Sequence, residues 1–145
     1  LQEYVRAGGA VLICAATHAS EPVILGRFLP PGVHVNSVGF NPQGRELDDE
    51  TILRSTVVVE SRAAALAPFP AGSNDLTWPI RDGLITPEHV HAEVGELVSG
   101  TRPGRTSPNQ ITLYKSVGIA VQYAVAAQLV LDPARVRRRG TEVGT

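Results

Sequence analysis

The hydrophobic positions of this chain fall in short, dense runs separated by polar joints rich in glycine and proline. Residues 10–17 (AVLICAAT) form one such run without polar alternation, the pattern of a strand covered on both faces, as in a parallel sheet. Residues 33–38 (VHVNSV), 56–59 (TVVV) and 111–114 (ITLY) supply three further strand candidates. Between them the pattern predicts short helices. Asp48, Asp49 and Glu50 put three acids at one helix start, where the helix dipole favours them, with Ile52 and Leu53 as the buried face. Arg62 to Ala67 is alanine-rich, and Glu88 to Ser99 carries Val90, Val94, Leu97 and Val98 on one side with Gly100 beyond its end. Glu21-Pro22 opens a short turn or helix that Pro30-Pro31-Gly32 stops. Residues 39–44 (GFNPQG) read as a loop, and residues 68–87, with four prolines and the single tryptophan, as a long connection. The longest helical pattern, 117–131, is apolar nearly all round and needs a partner on every side, such as a second domain or subunit. From Asp132-Pro133 onward the periodicity disappears and a fraying tail is expected. The opening LQEYVRAGG reads as the end of a helix, which suggests a chain entered in mid-domain.

Strands alternating with short helices imply an α/β fold with a parallel sheet. Ligands of such sheets sit beyond the carboxyl ends of strands, so the loops after Thr17, Val38 and Tyr114 are the ones to inspect. Composition narrows the classes. At 145 residues, 43% hydrophobic and 19% charged, the chain has the composition of one globular domain. A net charge of −1 argues against phosphate-backbone binding as its main business, although four of the twelve arginines cluster at 135–139. No apolar run approaches the ~20 residues of a membrane helix, and no basic-plus-apolar leader pattern opens the chain. One cysteine, Cys14, allows no intrachain disulfide and suits a reducing compartment; mid-strand, it reads as inert core. Against the twelve arginines stands one lysine, Lys115.

Several residues carry two readings. Thr17, at a strand exit, can turn its hydroxyl toward a ligand or cap the following turn. Gly39, flanked by Asn36 and Asn41, lets a ligand approach backbone amides, or marks a tight turn with Asn41 in the left-handed region. Arg45 can grip a phosphate or carboxylate, or pair with Glu46 or Asp48. Lys115-Ser116 lies where a strand meets the apolar helix, so Ser116 reads as an N-cap whose neighbouring amides can hold a polar group, with Lys115 solvated. His18, His34, His89 and His91 make no metal site, since His89 and His91 stand two apart on an expected helix.

Five stretches, CAATHASEPVI (14–24), GVHVNSVGFNPQGRELDDE (32–50), VVVESRAAAL (57–66), AEVGELVSGTRPGRTS (92–107) and ITLYKSVGIAVQ (111–122), resemble, in order and over most of the chain, the ornithine cyclodeaminase and mu-crystallin family of NAD(P)-binding proteins. The resemblance implies a partial Rossmann-like parallel sheet with flanking helices, without the first Gly-rich βαβ unit. Residues 1–116 would be the C-terminal half of the NAD(P)-binding domain, 117–131 the helix returning to a substrate and dimerisation domain absent from this sequence, and 132–145 a flexible basic tail. By the same resemblance Thr17 lies by the cofactor, Val38, Gly39 and Phe40 line the nicotinamide, Arg45 stands near the cofactor, Ser116 holds the nicotinamide amide and Val117 borders the substrate. Where ornithine cyclodeaminases proper carry an aspartate for proton transfer, this chain has Asn41, and an amide takes no proton at neutral pH. No G-x-G-x-x-G phosphate fingerprint occurs in the chain.

The resemblance thus implies, for the full-length protein, an oxidoreductase using NAD or NADP on a small amino or imino acid. Asn41 favours imine reduction or amino-acid dehydrogenation over cyclodeamination. The alternatives are a non-catalytic binder of cofactor and small ligand of mu-crystallin type, or an inactive truncated remnant; the chain alone is not expected to be a competent enzyme. A cytoplasmic homodimer without nucleic-acid or membrane partners completes the expectation.

Overall fold

The computed structural model describes residues 12–141 and 143; the helix end expected at residues 1–9 lies outside them. Five strands, β1 (Leu12–Ala15), β2 (His34–Ser37), β3 (Ser55–Val59), β4 (Val90–Glu93) and β5 (Ile111–Lys115), form one sheet in the order β1-β2-β5-β3-β4. Every pairing is parallel, so all strand exits share one edge. Helices α1 (Asp49–Arg54), α2 (Arg62–Ala65), α3 (Asn74–Arg81) and α4 (Val94–Val98) fill the crossovers, and α5 (Ala120–Val136) follows the sheet. This is the α/β parallel-sheet architecture that the strand–helix alternation predicts.

The core lies on one face of the sheet. Ile13, Val35, Leu113, Val57 and Val59 point there and pack with Ile24, Leu47, Ile52 and Leu76 from the connections. Asp48 caps α1, its carboxylate accepting from the Thr51 amide at 2.8 Å and from the Gly26 amide at 2.9 Å. These two hydrogen bonds tie the helix start to the turn at Gly26–Phe28. Of the expected apolar pair on α1, Ile52 is buried whereas Leu53 is 50% exposed, because only one stripe of so short a helix faces the sheet.

The other face is half open, which corrects the reading of β1 as covered on both sides. Leu12 and Cys14 are exposed, so Cys14 is surface and not core; the Asn36 amide lies 3.8 Å from its sulfur. Along this face His34 bonds Thr112 at 2.7 Å and Asn36 at 3.1 Å. β1 is an edge strand among the described residues, with only β2 beside it.

Three connections differ from expectation. Residues 87–99 do not form a single helix: a turn at Pro87–His89 leads into β4, which pairs with β3, and only then α4. Val90 and Ala92 alternate into the core while Val98 is 84% exposed. Sheet pairing overrides the helical spacing of the valines. The proline-rich connection contains α3, whose Asn74 amide donates to the carbonyls of Asn41, Pro42 and Gly44. Those tertiary bonds sustain a helix that Pro79 obscures in the sequence. Finally, α5 starts at Ala120 and runs through Asp132-Pro133 to Val136, past the end expected at residue 131; Gln128 donates to Asp132 one turn on. It buries none of its residues, leaving Val121, Leu129 and Val130 on the surface.

Leu113 is fully buried at the sheet centre, so Leu113→Ala is expected to cost about 2–5 kcal/mol and Leu53→Ala less than about 0.5 kcal/mol. Urea unfolding of the two variants checks the contrast.

Candidate functional site

Four strand exits meet at the carboxyl edge of the sheet. β5 presents Ile111, Leu113 and Lys115 to the core side in alternation, so its last inward position, one that an apolar residue would ordinarily fill, carries the only lysine. Lys115 is 1% exposed. Its Nζ donates to Asp75 Oδ2 at 2.8 Å, to the Gly39 carbonyl at 2.8 Å and to Ser37 Oγ at 3.0 Å. All three ammonium protons are thereby used. The expectation of a solvated lysine is overturned.

Glu46 occupies the other side of this cluster, 3.9 Å from Nζ. Its carboxylate accepts from the Thr17 amide at 2.5 Å, from the Ser37 hydroxyl at 2.6 Å and from the Gly39 amide at 2.9 Å. One side chain thus ties the β1 exit to the β2 exit. Burial works to raise the Glu46 pKa, but the hydrogen bonds from Ser37, Thr17 and Gly39 outweigh it and hold the carboxyl below its ordinary range. Asp75, at the start of α3, accepts from the amides of Glu46 and Leu47 at 2.9 and 2.8 Å, fixing the backbone that carries Glu46. Gly39 is required here by space, not by a left-handed backbone: an added Cβ would stand 2.1 Å from Glu46 Oε1 and 2.3 Å from the Thr17 carbonyl.

Around this buried cluster the expected site residues divide into two groups. Thr17, Gly39, Phe40, Asn41 and Arg45 border one shallow cleft between the exits of β1 and β2. Thr17 is exposed, its hydroxyl accepting from the Ala19 amide at 3.3 Å as a turn cap does. Val38 and Phe40 are also exposed beyond β2. Asn41 donates to the carbonyls of His18 and Ala19 at 3.3 and 3.1 Å and accepts from the Gln43 amide at 2.9 Å. It braces two loops and is not in the left-handed region, where Arg138 is the one non-glycine residue among those described. Arg45 pairs with Asp49 at 2.5 Å, not with Glu46 or Asp48, and lies 5.7 Å from the Trp78 ring.

Ser116 and Val117 form the second group, at the β5 exit and outside that cleft. The Ser116 amide donates to the Ser37 carbonyl at 3.0 Å, joining the two exits. Ser116 does not cap α5, which begins at Ala120 with Ile119 before it. Its hydroxyl accepts instead from the Gly118 amide at 3.0 Å and donates to Glu60 at 3.1 Å, and the Val117 amide donates to the same Glu60 oxygen at 2.6 Å. Gly118 takes a φ of +77°, which favours glycine. The histidines serve separate partners: His18 meets the Phe40 carbonyl, His89 that of Ile52 and His91 that of Pro103. Among the described residues no group of three His, Cys, Asp or Glu is placed to hold a metal ion, and no helix is long and apolar enough to cross a membrane.

Sequence reasoning missed Glu60, Asp75 and the inward role of Glu46. Glu60 ends the TVVV run and Glu46 precedes a leucine; an acid abutting a buried run is the signal available, but an acid at a strand end is usually solvated.

Comparison with known proteins agrees with the five-stretch resemblance. The family model described as "Ornithine cyclodeaminase/mu-crystallin family" matches residues 2–138. The chain belongs to this family. The chain is 40% identical over 136 residues to a Delta(1)-pyrroline-2-carboxylate reductase of Bacillus cereus, covering 92% of this chain and 40% of that protein. It is 39% identical to the ketimine reductase mu-crystallin of Mus musculus, covering 86% and 36%. Among solved structures, the Thermococcus litoralis Delta(1)-pyrroline-2-carboxylate reductase in complex with NADH and L-proline matches with a TM-score of 0.85 at 38% identity, covering 98% of this chain and 42% of that one. The chain therefore spans about 40% of the length of the relatives it matches.

Two measurements test the cluster. Lys115→Met leaves two buried carboxylates without their cation and is expected to cost about 3–5 kcal/mol; Lys115→Arg keeps the charge but overpacks the site, at about 1–3 kcal/mol. Both are read from urea midpoints. Because the Glu46 pKa is depressed in the fold, its contribution is complete above the ordinary glutamate value of about 4.3 and is lost as pH falls through and below it. Stability measured from pH 6 down to pH 3 should decline less steeply in Glu46→Gln than in the parent chain.

Proposed function

We propose that this chain supplies the nicotinamide-side half of a cofactor domain in an NAD(P)H-dependent reductase of small cyclic imino acids. The carrying observation is convergence: Thr17, Gly39 and Ser116 follow three different strands to one sheet edge, where Glu46 ties Thr17 to Gly39 and the Ser116 amide bonds the Ser37 carbonyl. In parallel sheets that edge is where ligands bind. The names of the B. cereus and T. litoralis relatives, and the NADH and L-proline of the latter's complex, point to the same chemistry.

The residues present fit the nicotinamide end of such a cofactor. Exposed Val38 and Phe40 offer apolar surface to a ring, and the Ser116 hydroxyl offers a polar contact to its carboxamide. When bound, the cofactor supplies a hydride to the imine carbon of the substrate. The chain's share is positional: Gly39 keeps the β2 exit close to the β1 exit, Arg45 with Asp49 borders the cleft, and Val117 stands toward the substrate. Asn41, spent on two loop carbonyls, moves no proton, which favours reduction over cyclodeamination. The same reading makes α5, apolar and unburied, the helix through which residues 117–131 reach a substrate and dimerisation domain. It also makes 132–145 a basic tail whose first residues finish that helix.

For the full-length protein carrying this chain, loss of nicotinamide absorbance with Δ1-pyrroline-2-carboxylate or a related cyclic ketimine is the expected result. Cofactor binding with no turnover on any cyclic imine, or on α-keto acids plus ammonia, would establish instead a non-catalytic binder of mu-crystallin type.

A further inference from the structure

Glu60 stands out because nothing in the reading above uses it. It is 7% exposed at the exit of β3, directly beside the β5 exit. Its Oε1 accepts from the Val117 amide at 2.6 Å and the Ser116 hydroxyl at 3.1 Å, while Oε2 is buried with no hydrogen-bond partner among the described residues. Leaving a buried carboxylate oxygen bare is costly, so the arrangement is not one that stability alone would select.

Its consequence falls on Ser116. A carboxylate only accepts, so the single Ser116 hydroxyl proton must point at Glu60. One oxygen lone pair receives the Gly118 amide at 3.0 Å. What remains is one lone pair and no proton. We propose that Glu60 is a positioning residue that makes Ser116 a hydrogen-bond acceptor only, so that the ligand group docking at the β5 exit must bring an N–H or O–H donor. The bare Oε2 leaves the carboxylate charge uncompensated, which strengthens the bond that fixes the serine proton. The Val117 amide, the other donor at this exit, is spent on Glu60 and cannot offer itself to a carbonyl. A carboxamide would therefore be gripped here by its NH₂ and not by its oxygen. This inference rests on the reading of Ser116 as the contact to the nicotinamide carboxamide.

The test uses the full-length protein and two reduced dinucleotides, NADH and its 3-acetylpyridine analogue, in which a methyl group replaces the carboxamide NH₂. The unsubstituted protein should bind NADH about tenfold more tightly than the analogue, one hydrogen bond's worth. Glu60→Ala frees the serine proton to rotate and should reduce that preference to about twofold or less. Glu60→Gln keeps an acceptor oxygen for Val117 and Ser116 and should retain it. Ser116→Ala should abolish the preference, and combining it with Glu60→Ala should change nothing further. A merely structural Glu60 would weaken both nucleotides equally and leave their ratio intact; that result overturns the proposal. If Glu60→Ala does not fold, equal binding of the two nucleotides by the unsubstituted protein overturns it just as well. Failure of the unsubstituted protein to bind either nucleotide overturns the cofactor reading beneath it.

Discussion

A single ammonium group, buried where the central strand ends, organises the carboxyl edge of this sheet. Lys115 satisfies Asp75, the Gly39 carbonyl and Ser37 at once. Asp75 and Glu46 then fix the backbones of residues 46–47 and the exits of β1 and β2. Burying one cation with two carboxylates is expensive unless every lone pair and proton finds a partner. Here they do, and the resulting order is of a kind that an apolar core could not impose. Hydrophobic contacts are tolerant of small shifts, whereas this network fixes which atoms of three loops face each other. Thr17 and Gly39 take their placement from that constraint.

The network also explains why remote segments belong to the site. Helix α3 lies about thirty residues from the loop it clasps, yet Asn74 and Asp75 hold the carbonyls of 41, 42 and 44 and the amides of 46 and 47. Gly44 and Gly39 are confined by close approach of neighbouring backbone and of Glu46. Arg45 is turned outward between Asp49 and Trp78. A loop that looks irregular in sequence is thus among the most tightly specified parts of the chain.

Much of this was legible beforehand and some was not, for physical reasons. Four strands announce themselves as dense β-branched runs, and three of the five family stretches contain Thr17, Gly39 and Ser116. β4 hides because VHAE lacks such a run and its valine falls in helical register with Val94 and Leu97; only pairing with β3 reveals it. The open face of β1 could not be read, because AVLICAAT looks the same whether one face or both is covered. The lone lysine drew attention by counting, but its burial depends on Asp75, forty residues away, which no local pattern connects to it. Glu60 was invisible for a similar reason: an acid after a strand reads as solvent-facing until Ser116 and Val117 arrive from β5.

The claim that Lys115 is the buried, fully bonded centre of the edge is most directly tested by amine-reactive labelling followed by peptide mapping. In the native protein Lys115 should remain unmodified under conditions that label an exposed lysine to completion, and should react fully once the protein is unfolded in denaturant. Labelling of Lys115 in the native state at the rate of a free lysine would contradict the account.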